Sequence, residues 1–194
     1  MILEDLINTF EKLKQNIYLI ERGDKPSLLI KFDDSNFFHL VGLHKTNIDL
    51  FMPIGIKSKA KKYKYLKSHV KKFNKILLSE TEDNELLEYR IKTFNNILDL
   101  LDGEKVSLYD LSKKIPGSVY KGNFGILKIY RNIYCLLALI INNQENNIIK
   151  CAPQSWMASN RINYLIRTRK QIYIEKITKI PIELYNEKDN LISV

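Results

Sequence analysis

Glycine and proline are scarce in this chain, with 7 Gly and 5 Pro in 194 residues. That scarcity excludes a Pro/Gly-rich linker and a low-complexity disordered tract, and no internal repeat divides the sequence. The two cysteines, Cys135 and Cys151, sit in apolar runs without CxxC spacing. Neither a disulfide scaffold nor a zinc site is indicated, so both read as small buried hydrophobes. Long hydrophobic runs are missing as well: the longest, Ile133 to Ile141, is about half of a membrane span. A secretion signal needs a basic patch before an apolar block, whereas Met1-Ile2-Leu3-Glu4-Asp5 is acidic and amphipathic. The expectation is a cytoplasmic protein with no membrane partner. No Walker A, Rossmann glycine fingerprint, HExxH, GxSxG or kinase signature occurs, which removes most nucleotide-dependent and metallohydrolase readings. Neither metal nor cofactor is expected.

Acidic residues are the minority, and the net charge is +9. The chain holds 25 Lys against 6 Arg beside 27 Ile and 18 Asn. Such a bias follows from A/T-rich coding DNA, so total lysine content means little. Its distribution is more informative: residues 1–49 carry −2, 50–79 carry +9, 80–106 carry −5, 107–117 carry +1 and 118–194 carry +6. Nine lysines with no acid between Asp49 and Glu80 would attract a phosphate backbone.

A length of 194 residues and 45% apolar content fit one domain with a substantial core. Leu3, Leu6, Ile7, Phe10, Leu13 and Ile17 predict an amphipathic helix over 2–16. Strands are predicted at Ile17–Ile20 and Ser27–Phe32 around Gly23-Asp24 and Pro26. Asp33 to Asn36 then offers several N-caps for a short helix through Phe37–Val41. From Ile56 to Leu77 one long helix is predicted, burying one stripe and presenting Lys57, Lys61, Lys64, Lys71, Lys72 and Lys75 on its back. A second runs from Glu82-Asp83-Asn84 to Asp102-Gly103, and a short third starts at Ser107 and ends before Pro116-Gly117. After Gly117, β-branched and aromatic runs predict strands at 124–130, 133–141, 147–152, 162–168 and 172–177. The short separators favour hairpins, so the predicted class is α+β, with N-terminal helices packed on a C-terminal antiparallel meander.

Only three histidines exist. His69 lies among lysines and reads as a solvated surface residue. His39, His44 and Lys45 stand within seven residues after an apolar strand. Five helical positions are about 140° of rotation, so the two imidazoles share a face only if the helix ends near Gly42. One reading makes His39 a hydrogen-bonded, half-buried residue and His44 a helix-end residue offsetting the dipole.

The stretch Phe32-Asp33-Asp34-Ser35-Asn36-Phe37-Phe38-His39-Leu40-Val41-Gly42 has an FxxxNF approach, a helix carrying HLxG and a long basic helical region beyond it. In this it resembles phage-associated members of the barnase/EndoU/colicin/RelE-like nuclease superfamily. More loosely, the similarity extends to the C-terminal meander and to Pro153-Gln154-Ser155-Trp156. The resemblance implies one nuclease domain over 1–194, with helices ahead of a four-stranded antiparallel sheet. The implied activity is metal-independent cleavage of RNA, possessed by a toxin or phage-conflict ribonuclease that an antitoxin or immunity protein restrains.

Such cleavage needs a base, an acid and donors around the phosphorane as a ribose 2′-hydroxyl attacks the adjacent phosphate. His39 is the choice for proton transfer, with His44 next in line, because an imidazole titrates near neutrality. Ser155 is the first candidate to hold phosphate oxygens, followed by Lys45, Arg131 and Arg161. Trp156 could stack a base, and Arg167 and Arg169, with Lys61, Lys64, Lys71 and Lys72, are the expected RNA contacts. A core tryptophan and solvated basic faces are the plainer reading of the same residues. Two alternatives remain open: a non-catalytic nucleic-acid-binding protein, and a basic module that docks an acidic protein.

Overall fold

The structure is a computed structural model that describes residues 2–82, 84–103, 105–112, 122–160 and 169–186. Its first helix, α1 (Ile2–Lys14), buries Leu3, Leu6, Ile7, Phe10 and Leu13, the stripe that the apolar spacing predicts. Strands β1 (Asn16–Arg22) and β2 (Lys25–Lys31) follow as a hairpin whose turn uses Gly23 at φ +64°. Helix α2 (Phe37–Val41) spans the predicted residues, and 3-10 turns at Leu43–Lys45 and Asn47–Phe51 lead to the basic region.

The predicted long helix is two helices, α3 (Lys59–Ser68) and α4 (Val70–Glu82). His69 breaks them: its Nδ1 lies 2.9 Å from the Tyr65 carbonyl, and its backbone N–H turns instead to Leu66. The imidazole thus competes with the helix for one acceptor. The next predicted helix divides likewise into α5 (Glu85–Thr93) and α6 (Asn96–Leu101). Around the break, the Phe94 N–H bonds the Ile91 carbonyl three residues back, and Thr9 on α1 hydrogen-bonds the Asn95 side chain.

Ser107 begins a strand rather than the predicted helix. β3 (Ser107–Asp110) pairs with β4 (Phe124–Tyr130), burying Leu108 while Tyr109 turns to the other face, so sheet partners override the local capping signal. β4, β5 (Ile133–Glu145) and β6 (Ile148–Ser159) form the antiparallel meander. β5 runs through the polar Asn142 to Gln144, and β6 runs through Pro153. Both continue past predicted separators because the register shifts there, and a bulge accommodates a proline that has no N–H for the ladder. β7 (Gln171–Ile172), β8 (Lys176–Pro181) and α7 (Ile182–Asn186) complete the described chain. The predicted strand at 162–168 lies outside the described residues.

The fold is α+β, but the sheet is not confined to the C-terminal half. Its order is β7-β3-β4-β5-β6-β2-β1-β8, and the N-terminal hairpin joins it through a parallel pairing of β2 with β6. β7 and β8 are opposite edges, yet only Tyr173, Ile174 and Glu175 separate them in sequence. That link spans at most about 14 Å, so the sheet curls until its edges approach. Arg22 on β1 accordingly lies over the ring of Phe124 on β4, 5.1 Å from its centroid, although three strands intervene.

The core extends from Leu3 to Ile172 and includes Trp156, which is fully buried. The Trp156 indole N–H donates to Thr93 Oγ1 at 3.1 Å, and its ring meets Phe94 edge-on, pinning α5 to β6. Trp156→Ala is expected to destabilise the protein by about 3–5 kcal/mol in denaturant unfolding, the cost of a large buried cavity. A loss below about 1 kcal/mol would contradict this packing.

Candidate functional site

Helix α2 ends at Val41 because Gly42 takes the left-handed conformation, φ 85° and ψ 4°. A Cβ there would stand 2.9 Å from an Arg90 Nη and 3.1 Å from a Leu87 methyl. Glycine is therefore required both for the backbone turn and for the approach of α5. The reversal folds the Leu43–Lys45 turn back on α2 and brings the His39 and His44 rings to 4.4 Å between centroids, tilted 45°. His44 Nδ1 lies 3.2 Å from the Phe38 carbonyl, which fixes its ring.

Two cations, Lys59 and Arg90, join this pair. Ser58 caps α3 by accepting from the Lys61 N–H, and Lys59 is the first residue of that helix. Tyr63, one turn on, is buried against Phe37 at 4.7 Å and Phe10 at 5.2 Å. Its hydroxyl donates to Glu11 on α1 at 2.6 Å. Because positions 59 and 63 share a helix face, this packing carries Lys59 to α2, where its Nζ lies 2.5 Å from His39 Nε2. From below, Thr93 is tied to Trp156, and Arg90 one turn earlier reaches the His39 carbonyl at 3.4 Å.

Among the described residues, no carboxylate forms an ion pair with His39, His44, Lys59 or Arg90. Burial, then Lys59, His44 and Arg90, push the His39 imidazole down to about 4. His44 is lowered too, by burial first, with Arg90, Lys45 and Lys59 adding to it against the bond to the Phe38 carbonyl. Burial pushes Arg90 down to about 10, so it stays cationic at neutral pH. An ammonium has only donors, so the neutral His39 accepts at Nε2 and carries its proton on Nδ1. The cluster can hold an anion and supply an unprotonated imidazole beside it.

His39 is half-buried, while His44 and Lys45 are exposed on the turn beyond it. Ser155 lies on β6 between Gln154 and Trp156. Trp156 faces α5, whereas the next residue, Met157, packs with Leu111, Leu127 and Leu136, so strand alternation turns Ser155 to that second face. No hydrogen bond joins Ser155 to the histidine cluster among the described residues. Arg131 is exposed in the two-residue β4–β5 turn, where it and Asn132 have φ 45° and 69°. Arg161 and Arg167 lie outside the described residues, and Arg169 stands in a bend before β7. Trp156, proposed as a stacking platform, is instead a core residue, since a ring with no exposed surface cannot meet a base. Lys61, Lys64, Lys71 and Lys72 are all exposed on α3 and α4. Lys64 stands 4.0 Å from Asp34, and Lys72 donates to the Phe51 carbonyl at 3.0 Å.

Sequence reasoning missed Lys59 and Arg90. Lys59 is one of nine lysines in its block and nothing local marks it. Arg90 did carry a signal: it lies in an apolar helical stretch, Leu86-Leu87-Glu88-Tyr89-Arg90-Ile91, next to the buried face.

A family model described as phage-Barnase-EndoU-ColicinE5/D-RelE like nuclease4 matches residues 2–193. No curated protein and no solved structure matches the chain.

Folding leaves His39 at about 4, whereas an unfolded imidazole binds its proton near pH 6.5. Between those values the unfolded state holds more protons, so stability rises with pH there and is lost as pH falls through the window. Thermal melts from pH 7 to 4 should show that decline, and His39→Gln, which cannot titrate, should flatten it. An identical decline in the variant would remove His39 as the cause.

Proposed function

The chain belongs to the phage-Barnase-EndoU-ColicinE5/D-RelE like nuclease4 family, and we propose that it is a metal-independent endoribonuclease centred on His39. The observation that carries this reading is the neutral His39 imidazole set among His44, Lys59 and Arg90, with no carboxylate partner among the described residues. That is the charge balance a phosphodiester requires. In the proposed reaction the ribose 2′-O–H bond breaks and its proton passes to His39 Nε2. The 2′-oxygen–phosphorus bond forms as the phosphorus–O5′ bond breaks, leaving a cyclic phosphate. His44, protonated once the anion has raised its proton affinity, gives its proton to O5′. Lys45, Lys59 and Arg90 oppose the charge on the phosphorane, the part a metal ion plays in other nucleases.

The role we propose is that of a toxin in a phage-conflict system, acting on cytoplasmic RNA as one nuclease domain and restrained by an antitoxin or immunity protein. The lysines exposed on α3 and α4 would extend RNA contact beyond the reacting phosphate. They fit a non-catalytic nucleic-acid binder equally well, and cleavage decides between the two.

Purified protein incubated with total RNA and tRNA in EDTA should produce fragments with cyclic or 3′-phosphate ends. His39→Ala should lower the rate by about 10²–10⁴-fold with RNA affinity and fold retained. Full cleavage by that variant would move proton transfer to His44, and no cleavage by the parent protein would leave the binder. A Lys61→Glu, Lys71→Glu double variant should bind RNA more weakly, with a shallower dependence of affinity on salt. Unchanged affinity would take α3 and α4 off the RNA surface.

A further inference from the structure

Lys59 holds the one position on His39 that a base must keep open. Its Nζ lies 2.5 Å from Nε2, and an ammonium can only donate, so the lone pair that would accept the 2′-hydroxyl proton is occupied. We propose that Lys59 is a phosphate-operated latch: it caps the His39 base in the unliganded protein and leaves it when a phosphodiester enters the cluster. The identity of the diester rests on the nuclease reading above, but the latch is a property of the cluster itself.

Four features support release by an anion. Lys59 is exposed at the start of α3, so its ammonium can turn on its own stem without disturbing Tyr63, which anchors the helix. No carboxylate competes for it among the described residues. A hydrogen bond from an ammonium to an anionic phosphate oxygen is stronger than one to a neutral imidazole, so the incoming diester wins the donor. Finally, Arg90 is held in place against Gly42 and the His39 carbonyl, and its charge, paired with no carboxylate among the described residues, remains to draw the anion in. Among the described residues, the groups that act on the His39 imidazole are Lys59 from α3, Arg90 from α5 and His44 from the turn after α2, where Lys45 acts on His44 in turn. All are cations or imidazoles.

The latch also changes how strong the base is. Lys59 and Arg90 both hold the proton affinity of His39 down. A phosphate that takes the ammonium opposes that charge, so the imidazole becomes more basic as it becomes free. Substrate arrival thus uncovers the lone pair and moves the base towards the operating pH, where general-base catalysis is most efficient. Without an anion the imidazole is capped and weak.

The test follows the His39 ring by ¹H–¹⁵N NMR against pH in the parent protein, Lys59→Met and Lys59→Arg, each with and without inorganic phosphate. Steady-state RNA cleavage and thermal melts are measured on the same samples. In the parent protein phosphate should raise the His39 midpoint by about one pH unit or more. Lys59→Met should raise it without phosphate, bind phosphate about tenfold more weakly, and leave little further shift on adding it. Its melting temperature should be unchanged at neutral pH, and its cleavage should fall in kcat, through the lost phosphorane contact, as well as in KM. Lys59→Arg, which keeps the charge, should restore the response to phosphate. A His39 midpoint that is the same in the parent and Lys59→Met, or that ignores phosphate in the parent, overturns the latch even if RNA is cut. A parent protein that cuts no RNA but shows the full Lys59 and phosphate response overturns the nuclease reading and leaves the latch standing as an anion switch.

Discussion

The contact among Phe10, Phe37 and Tyr63 sets the geometry on which the candidate site depends. Three elements distant in sequence meet there: α1 contributes Phe10, α2 contributes Phe37 and α3 contributes Tyr63, with ring centroids 4.7–5.2 Å apart. Phe32 adds a fourth ring edge-on to Phe10 at 6.5 Å. Each such pair contributes about 0.5–1.5 kcal/mol beyond the burial of its area, and their crossed planes resist sliding. His39 lies two residues from Phe37, and Lys59 lies one turn from Tyr63. The aromatic contact therefore fixes a polar one that neither short helix could hold alone.

A second anchor acts from the sheet. The hydrogen bond from Trp156 to Thr93 sets α5 on β6, and Arg90, on the same helix, meets Gly42 and the His39 backbone. The curl of the sheet serves the same end by bringing distant strands onto one core. Placing two imidazoles, Lys59 and the largely enclosed Arg90 together, with no carboxylate partner among the described residues, works against folding, since buried charge is costly unless paired. The apolar packing above and below offsets that cost. His39 answers it in part by staying neutral, which is the state a base needs.

Much was legible in the sequence. Helix α2 has the predicted bounds because the left-handed Gly42 ends it within a residue, although Asn36 before it makes no side-chain cap and its amide oxygen accepts from the Asp33 N–H instead. α1 and β4 were legible for the same reason, since period alone distinguishes helix from strand. The errors fell where a distant partner decides. Ser107 to Asp110 carries a capping pattern but lies between two strands, β5 and β6 run on through polar residues and a proline, and His69 splits a helix by taking one carbonyl.

The same division applies to the site. Residue types and local spacing determined that His39 and His44 lie at a helix end, that their pairing depends on Gly42, and that a strongly basic block follows. Only the tertiary structure decided which of nine lysines reaches His39, that Arg90 joins from another helix, and that Trp156 belongs to the core. Local patterns report interactions that act within about one helical turn or one strand pair. A cluster of two imidazoles and two cations assembled from residues 39, 44, 59 and 90 depends on how whole helices pack, and that is set by side chains elsewhere in the chain.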